Sequence, residues 1–448
     1  MDRITPPAGA VEIISRLRGG GYEAYIVGGC VRDSLMGREP KDWDITTSAR
    51  PEAVTELFAD RTVVPTGIKH GTVTVLEADG AYEVTTFRID GQYLDHRRPR
   101  SVTFSTSIAD DLARRDFTSN AMAYDILAGR LVDPFGGLED IRARRIVCVR
   151  DPEERFSEDA LRILRGMRFA SELGFEIEER TARAIHERAQ DLLKIAAERI
   201  TSELTKLLLG QDCTRVLCEY KDVIALIIPE LAPCIGFDQR SRWHCYDVYD
   251  HIAHAVGYYR GGDAVTKYAL LLHDMGKPRC FTLDEKGGHF IGHGAVGAEL
   301  AGAALARLRL PAETCRRIRE LVRYHDINVP PTKKGVRRWV SRLGQEQFSR
   351  YLEVHRADIL AHSETAISAH WNQDGAIREI FEELLAEEGA MSLQKLDVRG
   401  DDLISAGVPR GPEVGKLLGE LLDLVIDEKL PNRRQALLEY VNKKLRER

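Results

Sequence analysis

Apolar and polar positions change rhythm near residue 150. Before it, short apolar runs alternate with turn residues. Ala24–Val27 is a short apolar run that ends in Gly28-Gly29, as a strand broken by a turn would. Gly71–Glu77 and Tyr82–Arg88 read as two strands flanking Asp79-Gly80, a pair suited to a hairpin turn. The basic stretch His96-Arg97-Arg98-Pro99-Arg100 reads as a mobile loop before the next strand. This first region is expected to be α/β with a mixed or antiparallel sheet. From about Pro152 the pattern is helical almost throughout. Glu158–Leu173 and Ile195–Leu209 carry apolar residues at helical spacing. The segment Lys395–Arg448 holds glycine-punctuated amphipathic helices such as Gly415–Ile426, and no short repeat or low-complexity tract interrupts the chain.

Composition narrows the class. At 448 residues the chain exceeds one ordinary core, so two to four domains are expected. Hydrophobic content of 43% with 30% charged residues describes a soluble, folded protein. No apolar run approaches the roughly 20 residues that span a bilayer, so no membrane partner is expected. The opening MDRITPPAGAVEIISRLRGG has acidic residues and no apolar signal core, which argues against secretion. Eight cysteines without a CxxC pair argue against a zinc ribbon or disulfide framework and favour a reducing cytoplasm. The net charge of −6 means that any RNA must be bound through local basic clusters.

Candidate chemistry begins at the first glycine pair. A strand running into two glycines leaves backbone N–H groups free to approach phosphate oxygens. Arg32, a few residues into the following helix, can pair with a triphosphate. Asp42 and Asp44 lie two apart on an extended segment, so both carboxylates leave one face and Trp43 the other. Such a pair binds Mg²⁺, one ion activating a hydroxyl and another stabilising the leaving oxygen. Taken singly, a glycine pair is usually a turn and DxD a solvated loop. Their combination with Arg32 at this spacing is much less common.

The stretch GGCVRDSLMGREPKDWDI resembles the first motif of class II tRNA nucleotidyltransferases and bacterial poly(A) polymerases, in the polymerase β superfamily. Arg114–Ala121 is similar to the RRDFTxNA motif, and Asp133–Gly137 to the family's hinge. Glu158–Arg162 matches EDxxR, and Glu198-Arg199-Ile200 follows in order. The resemblance implies a polymerase β-like nucleotidyltransferase head (1–145) and a helical neck and body for base and RNA binding (146–238). It implies that Asp42 and Asp44 hold the metals, and that Gly29, Arg32 and Arg115 bind the triphosphate or its sugar. Glu83 is a candidate third acid, with a plain strand-pair role the more ordinary reading.

Asp159 and Arg162 lie three apart on an expected helix, and so on neighbouring positions of one face. Cytosine and adenine each present an amino donor beside a ring-nitrogen acceptor. A carboxylate accepts from the first and a guanidinium donates to the second, whereas uracil and guanine present the opposite pattern. The resemblance assigns base reading to these two positions, with Arg165 and Arg168 continuing a basic stripe toward triphosphate or RNA. The plainer alternative is an exposed helix with Glu158–Arg162 and Asp159–Arg162 ion pairs.

Histidines concentrate between 244 and 370. His251, His273, Asp274, His293, His325 and Asp358 follow the order H…HD…H…H…D, which resembles the HD superfamily of metal-dependent phosphohydrolases. This implies an HD domain (239–372) with a second divalent metal (Mn, Ni, Fe or Zn), whose substrate would be a 2′,3′-cyclic phosphate or 3′-phosphate on RNA. His254 and His289 fit no motif position and are read as nonligands. The helical tail (373–448) is a candidate tRNA-binding segment.

The function expected from these motifs is CCA addition to tRNA 3′ ends from CTP and ATP. Thr66–Val73 and the DGQYLDHRRP stretch resemble those of full CCA enzymes. Poly(A) polymerase, A-only or CC-only addition, an HD phosphohydrolase with a nucleotide-sensing head, and an RNA-binding scaffold are the alternatives.

Overall fold

The computed structural model describes residues 4–68, 71–90, 102–285, 287–386, 396–426 and 429–446. The loop read at His96–Arg100, the DGQYLDHRRP stretch beyond Asp90, Lys69-His70 of the strand entry and Lys395 lie outside them. The chain divides into two units, Met1–Pro229 and Glu230–Arg448.

Unit 1 opens with α1 (Ala8–Gly19), β1 (Ala24–Val27), α2 (Gly29–Leu35), β2 (Ile45–Thr47) and α3 (Pro51–Leu57). β3 (Val63–Gly67), β4 (Thr72–Glu77) and β5 (Gly80–Thr86) follow, then β6 (Arg88–Asp90) paired with β7 (Val102–Phe104), and α4 (Ile108–Ala113). β8 (Ala123–Asp125) and β9 (Arg130–Val132) complete a seven-stranded sheet of order β3-β4-β5-β2-β1-β8-β9. Only the β2–β5 pair in it is parallel, so the sheet is mixed. The expected hairpin forms one residue early: Glu77 pairs with Gly80, and the turn is Ala78-Asp79. Asp79 then accepts from Gly9 N–H and Tyr82 Oη, which ties the hairpin to α1.

Beyond the sheet come α5 (Gly137–Arg142), the short parallel pair β10 (Arg145–Ile146) and β11 (Glu176–Ile177), α6 (Pro152–Glu158) and α7 (Leu161–Leu173). α8 (Glu179–Arg188), α9 (Ala197–Leu208), α10 (Cys213–Glu219) and α11 (Lys221–Ile227) close the unit. The Asp133–Gly137 stretch is a capping turn, in which Asp133 accepts from the N–H groups of Gly137 and Leu138 that start α5. A Cβ on Gly137 would lie 2.2 Å from the Thr118 carbonyl, so only glycine fits there.

One expectation fails here. The helix read over Glu158–Leu173 is two helices. Asp159 sits between them at φ −138° and ψ 101°, and so shares no helical face with Arg162. Its carboxylate accepts from Leu161 N–H at 3.1 Å, a local bond that competes with continuing the helix. The Glu158–Arg162 ion pair forms (2.5 Å), while Asp159 pairs with Arg199 instead.

Among its described residues, unit 2 is helical apart from one hairpin. It holds α12 (Val248–Tyr258), α13 (Ala264–Leu272), α14 (Lys277–Cys280) and the β12 (Thr282–Asp284)–β13 (Gly287–His289) hairpin. α15 (His293–Arg307), α16 (Ala312–Tyr324), α17 (Lys333–Leu343), α18 (Gln345–Leu360) and α19 (Glu364–Ala386) follow. α20 (Gly400–Ser405), α21 (Pro412–Ile426) and α22 (Arg434–Arg446) pack around their own core of Leu403, Leu421, Leu437 and Val441.

Candidate active site and metal centre

β1 delivers the chain into the cleft of unit 1. Val27 N–H donates to the Asp44 carbonyl (3.0 Å), which carries the β1–β2 pairing past Ile45 and sets where Asp44 stands. Gly28 then turns with φ +82°, a conformation that L side chains rarely adopt. A Cβ there would also lie 2.9 Å from Arg115 Nη1, so the turn and that guanidinium lie against each other. Fully buried Asp111 holds Arg114 and Arg115 at 2.8 and 3.4 Å. Burial pushes its carboxyl up, and the two guanidiniums more than offset this, leaving it below the ordinary value.

Asp42 and Asp44 are exposed to the cleft, with half-buried Trp43 between them. Desolvation raises the Asp44 carboxyl above its usual range. Arg115 opposes the rise, and the charges of Glu83 and Asp42 add to it. Glu83 precedes Val84, the parallel partner of Ile45, which sets it beside Asp44. Three like charges close enough to disfavour one another are a donor set that a divalent cation relieves, and Mg²⁺ suits carboxylate oxygens.

From the glycine turn a polar chain runs to α7. Arg32 donates to Asn120 Oδ1 (2.7 Å), Asn120 Nδ2 to Asp116 Oδ1 (3.3 Å), and Arg165 Nε to Asp116 Oδ2 (2.7 Å). Burial raises the Asp116 carboxyl, but Arg165 and then Arg162 outweigh it and hold it down at about 2. Its folded value lies below its unfolded value of about 3.9. Its contribution, on the order of 2 kcal/mol, is therefore complete above about pH 5 and is lost as pH falls through about 2. Urea unfolding at pH 7 and pH 3 should show this loss, and Asp116→Asn should remove that share of the pH dependence.

Arg162 donates from Nη1 to the Arg155 carbonyl (3.0 Å) and from Nη2 to the Arg114 carbonyl (2.9 Å). Glu158 bridges Arg155 and Arg162. Arg168, 9% exposed, lies on the Phe169 ring and pairs with Glu203 of α9 at 3.0 Å. Gly29, Arg32, Asp42, Asp44, Arg115, Asp159, Arg162, Arg165 and Arg168 all line one cleft of about 1270 Å³. Sequence reasoning missed Gly28 and Arg199 as lining residues of this cleft. Gly28 was visible as half of the glycine pair. Arg199 stands in the Glu198-Arg199-Ile200 stretch, but its partner is 40 residues away.

In unit 2 the six expected ligands converge. His251 comes from α12, His273 and Asp274 from the end of α13, His293 from the start of α15, His325 from the end of α16 and Asp358 from α18. Each imidazole Nδ1 faces a main-chain carbonyl, those of Ala361, Leu270, Phe290 and Val322, at 2.7–3.1 Å. Donation there puts the proton on Nδ1 and turns an Nε2 lone pair inward, the orientation metal-binding imidazoles need. Asp274 Oδ2 lies 3.3 Å from Nε2 of both His251 and His273. Its Oδ1 lies 3.3 and 3.4 Å from Nε2 of His293 and His325. Asp358 Oδ1 is 2.8 Å from His251. Among the described residues two possible ligand clusters result, with Asp274 common to both. This donor set fits a borderline divalent ion.

Burial pushes His251 down to about 4. At His273 burial is outweighed by Asp274 and Asp358, which raise it to about 10, so its Nε2 must shed a proton before it can bind a metal ion. Lys277 Nζ reaches Asp274 Oδ2 at 2.6 Å and Gln239 Oε1 at 2.9 Å. His254 stacks on Tyr246 and His289 pairs with Asp284, both outside the clusters. His244 and His362, with ring centroids 4.6 Å apart, adjoin His251 and were not singled out in the sequence. His362 follows Asp358 by four residues, a spacing that was visible in the sequence.

The poly(A) polymerase head-domain model matches residues 24–147, the model for the RNA- and SrmB-binding region of polymerase A matches 174–234, and the tRNA nucleotidyltransferase domain 2 model matches 297–441. The crystal structure of the Bacillus stearothermophilus CCA-adding enzyme in complex with CTP is 31% identical, with a TM-score of 0.76, over 99% of this chain and 98% of that one. This chain belongs to the CCA-adding enzyme family. Curated CCA-adding enzymes from Geobacillus kaustophilus and Oceanobacillus iheyensis are 54% and 50% identical to this family member over 201 and 208 residues. These matches take in 45% and 46% of the chain, which spans about half the length of those relatives (49% and 51%). No helix among the described residues of this CCA-adding enzyme family member is long and apolar enough to cross a membrane.

In this family member Gly28→Ala should cost at least about 1 kcal/mol through the strained φ. On the triphosphate-binding role expected of Arg115, pushing that guanidinium aside should also raise the KM for nucleoside triphosphate about tenfold, the size of one lost charged hydrogen bond. Urea unfolding and initial rates measure the two effects separately.

Proposed function

We propose that this protein adds C, C and A to tRNA 3′ ends, using CTP and ATP and no nucleic-acid template. One observation carries the reading: a single cleft holds the paired carboxylates, the glycine turn with Arg32 and Arg115, and the base-reading pair Asp159 and Arg162. Asp42 and Asp44 would hold Mg²⁺, which activates the tRNA 3′-hydroxyl and neutralises charge on the leaving pyrophosphate. Gly28, Gly29, Arg32 and Arg115 orient the triphosphate through backbone N–H groups and guanidinium donors. Asp159 accepts from the exocyclic amino group of cytosine or adenine, and Arg162 donates to the adjoining ring nitrogen. Uracil and guanine leave both charged groups mismatched, which supplies the selectivity. We read residues 1–145 as the head, 146–238 as neck and body, 239–372 as the HD region and 373–448 as a tRNA-binding tail, in a cytoplasmic protein. The test offers tRNAs lacking one, two or three terminal nucleotides, with CTP and ATP supplied singly and together. Ordered addition that stops after A supports the reading. A long A tract would replace it with poly(A) synthesis, and C addition without A would reduce it to CC addition.

The His/Asp centre of unit 2 favours a second, hydrolytic activity on phosphate esters. Its four inward-facing imidazoles and two carboxylates suit Mn²⁺, Ni²⁺, Fe²⁺ or Zn²⁺, which supplies activated water. A 2′,3′-cyclic phosphate or 3′-phosphate on RNA is the substrate class that fits, because removing it frees the hydroxyl that nucleotide addition needs. Release of phosphate from such an RNA end, with each metal added in turn, tests it. No turnover with any of the four ends this second reading.

A further inference from the structure

Among its described residues, unit 2 sets an arginine over a tryptophan ring at Arg242–Trp243, Arg342–Trp339 and Arg356–Trp371. Two of these arginines are committed elsewhere. Arg342 donates to Tyr324 Oη at 2.8 Å, and Arg356 pairs with buried Asp374 at 2.9 Å. Arg242 is exposed and stands 4.9 Å from the Trp243 ring centroid. Its guanidinium has no hydrogen-bond or ion-pair partner among the described residues. Half-buried Trp243 also meets the exposed His370 ring of α19, with centroids 6.1 Å apart and planes at 53°. This cluster adjoins the His/Asp centre. Ser363, between α18 and α19, donates from N–H to the Trp243 carbonyl (2.9 Å) and from Oγ to the Arg242 carbonyl (3.0 Å). The neighbouring residues His362 and His244 carry their rings to within 4.8 and 5.6 Å of the candidate ligand His251. Asp358 is the most exposed of the six candidate ligands, at 14% against 8% for His293 and 2% for His325. Its main-chain carbonyl faces His362 Nδ1 at 2.7 Å. The accessible edge of the centre therefore borders the stretch that carries Trp243.

We propose that Trp243, Arg242 and His370 form a stacking platform for the last bases of a single-stranded RNA, holding its 3′-phosphate end at the His/Asp centre. This rests on the hydrolytic reading above. Indole and imidazole faces stack on unpaired bases, and a guanidinium beside them takes a backbone phosphate. The neighbouring centre favours RNA as the occupant, because its ligand set suits phosphate esters and nucleobases are the aromatic groups that RNA phosphates carry with them. Every base has a π-face, so the platform accepts any terminal sequence. It requires only that the end be unpaired, since bases inside a duplex have their faces covered by neighbours. Arg356, by contrast, has its charge answered by Asp374, which leaves Trp371 an ordinary surface residue.

The experiment gives the full chain two probes, a short oligoribonucleotide 3′-phosphate and glycerol 2-phosphate, a phosphate ester without a base. Phosphate release is followed in wild type, Trp243→Ala, Trp243→Phe, Arg242→Gln and Trp371→Ala, with the divalent ion that supports turnover. Trp243→Ala is expected to lower the preference for the oligonucleotide over glycerol 2-phosphate in kcat/KM at least about tenfold, through KM. Trp243→Phe keeps a stacking face and should fall between it and wild type. Arg242→Gln, on an exposed side chain, should lower the preference without lowering the melting temperature. Trp371→Ala should keep the wild-type preference. Equal loss on both probes in Trp243→Ala assigns Trp243 a structural role through His244 and overturns the proposal. A loss of preference in Trp371→Ala as large as in Trp243→Ala overturns it too. A wild type that releases no phosphate with any ion defeats the hydrolytic reading itself, and binding then decides the platform. The same oligonucleotide with a terminal 4-thiouridine is photo-crosslinked to the chain. Adducts on Trp243 or His370 support the platform, and adducts confined to other segments overturn it.

Discussion

Asp44→Ala is expected to reduce nucleotide addition by about 10⁴-fold, the scale on which removal of a single member of a catalytic unit acts. The carboxylate is exposed to the cleft, where Asp42 and Glu83 crowd it and Arg115 partly compensates. On the proposed role, its removal takes away a metal ligand; it leaves the β1–β2 pairing intact, because Val27 bonds to the Asp44 main chain, which alanine retains. Stability should therefore change by no more than about 0.5 kcal/mol, or rise slightly as the like-charge crowding is relieved. Circular dichroism and urea unfolding establish that the fold survives, and extension of tRNA with labelled CTP reads the loss. Retained activity in Asp44→Ala would place the metal site elsewhere in the cleft.

Asp274→Ala is expected to act on both stability and metal content. The carboxylate is 1% exposed and faces four imidazoles and the Lys277 ammonium. Deleting it strands Lys277, 5% exposed, with Gln239 as a neutral partner and the Phe290 ring 5.2 Å away. Stripping one partner from a buried ion pair costs about 3–5 kcal/mol, because the other charge stays desolvated. Divalent metal bound after dialysis should fall to the level of a protein lacking the centre, since both ligand clusters lose a shared member. Elemental analysis and chemical unfolding of the metal-free form test the two effects independently. Nucleotide addition measured at a temperature where the variant stays folded should persist. Unchanged metal content would show that the His/Asp clusters do not hold the ion.

The motifs of the unit 1 cleft were legible because their proposed chemistry is local. Gly28-Gly29 ends a strand whose four residues are all buried, and the extended spacing of Asp42 and Asp44 needs no tertiary information. The six His and Asp positions of unit 2 were legible through their order along the chain, H…HD…H…H…D, which resembles that of the HD superfamily. The α/β first region and the helical remainder followed from the same change of rhythm, while the sheet was left as mixed or antiparallel until the parallel β2–β5 pair decided it. The error at Asp159 has a local cause too. Apolar spacing continues smoothly from Phe156 to Leu164, and periodicity does not register a side chain that bonds its own backbone two residues on.

Partnership over long separations is what only the folded chain decided. Arg199 reaches Asp159 across 40 residues, Arg165 reaches Asp116 across 49, and Arg32 reaches Asn120 across 88. Arginine and aspartate are abundant in the sequence, and their charges alone do not select partners among so many equivalents. Packing of α7 against α9 and of β1 against β8 brings particular pairs within hydrogen-bonding distance and leaves others apart. The sequence by itself pointed to the residue types that the proposed chemistry needs and, Asp159 excepted, to the elements on or beside which they stand. The tertiary structure decided which guanidinium orients which carboxylate, because desolvation rewards only the pairs that burial brings into contact.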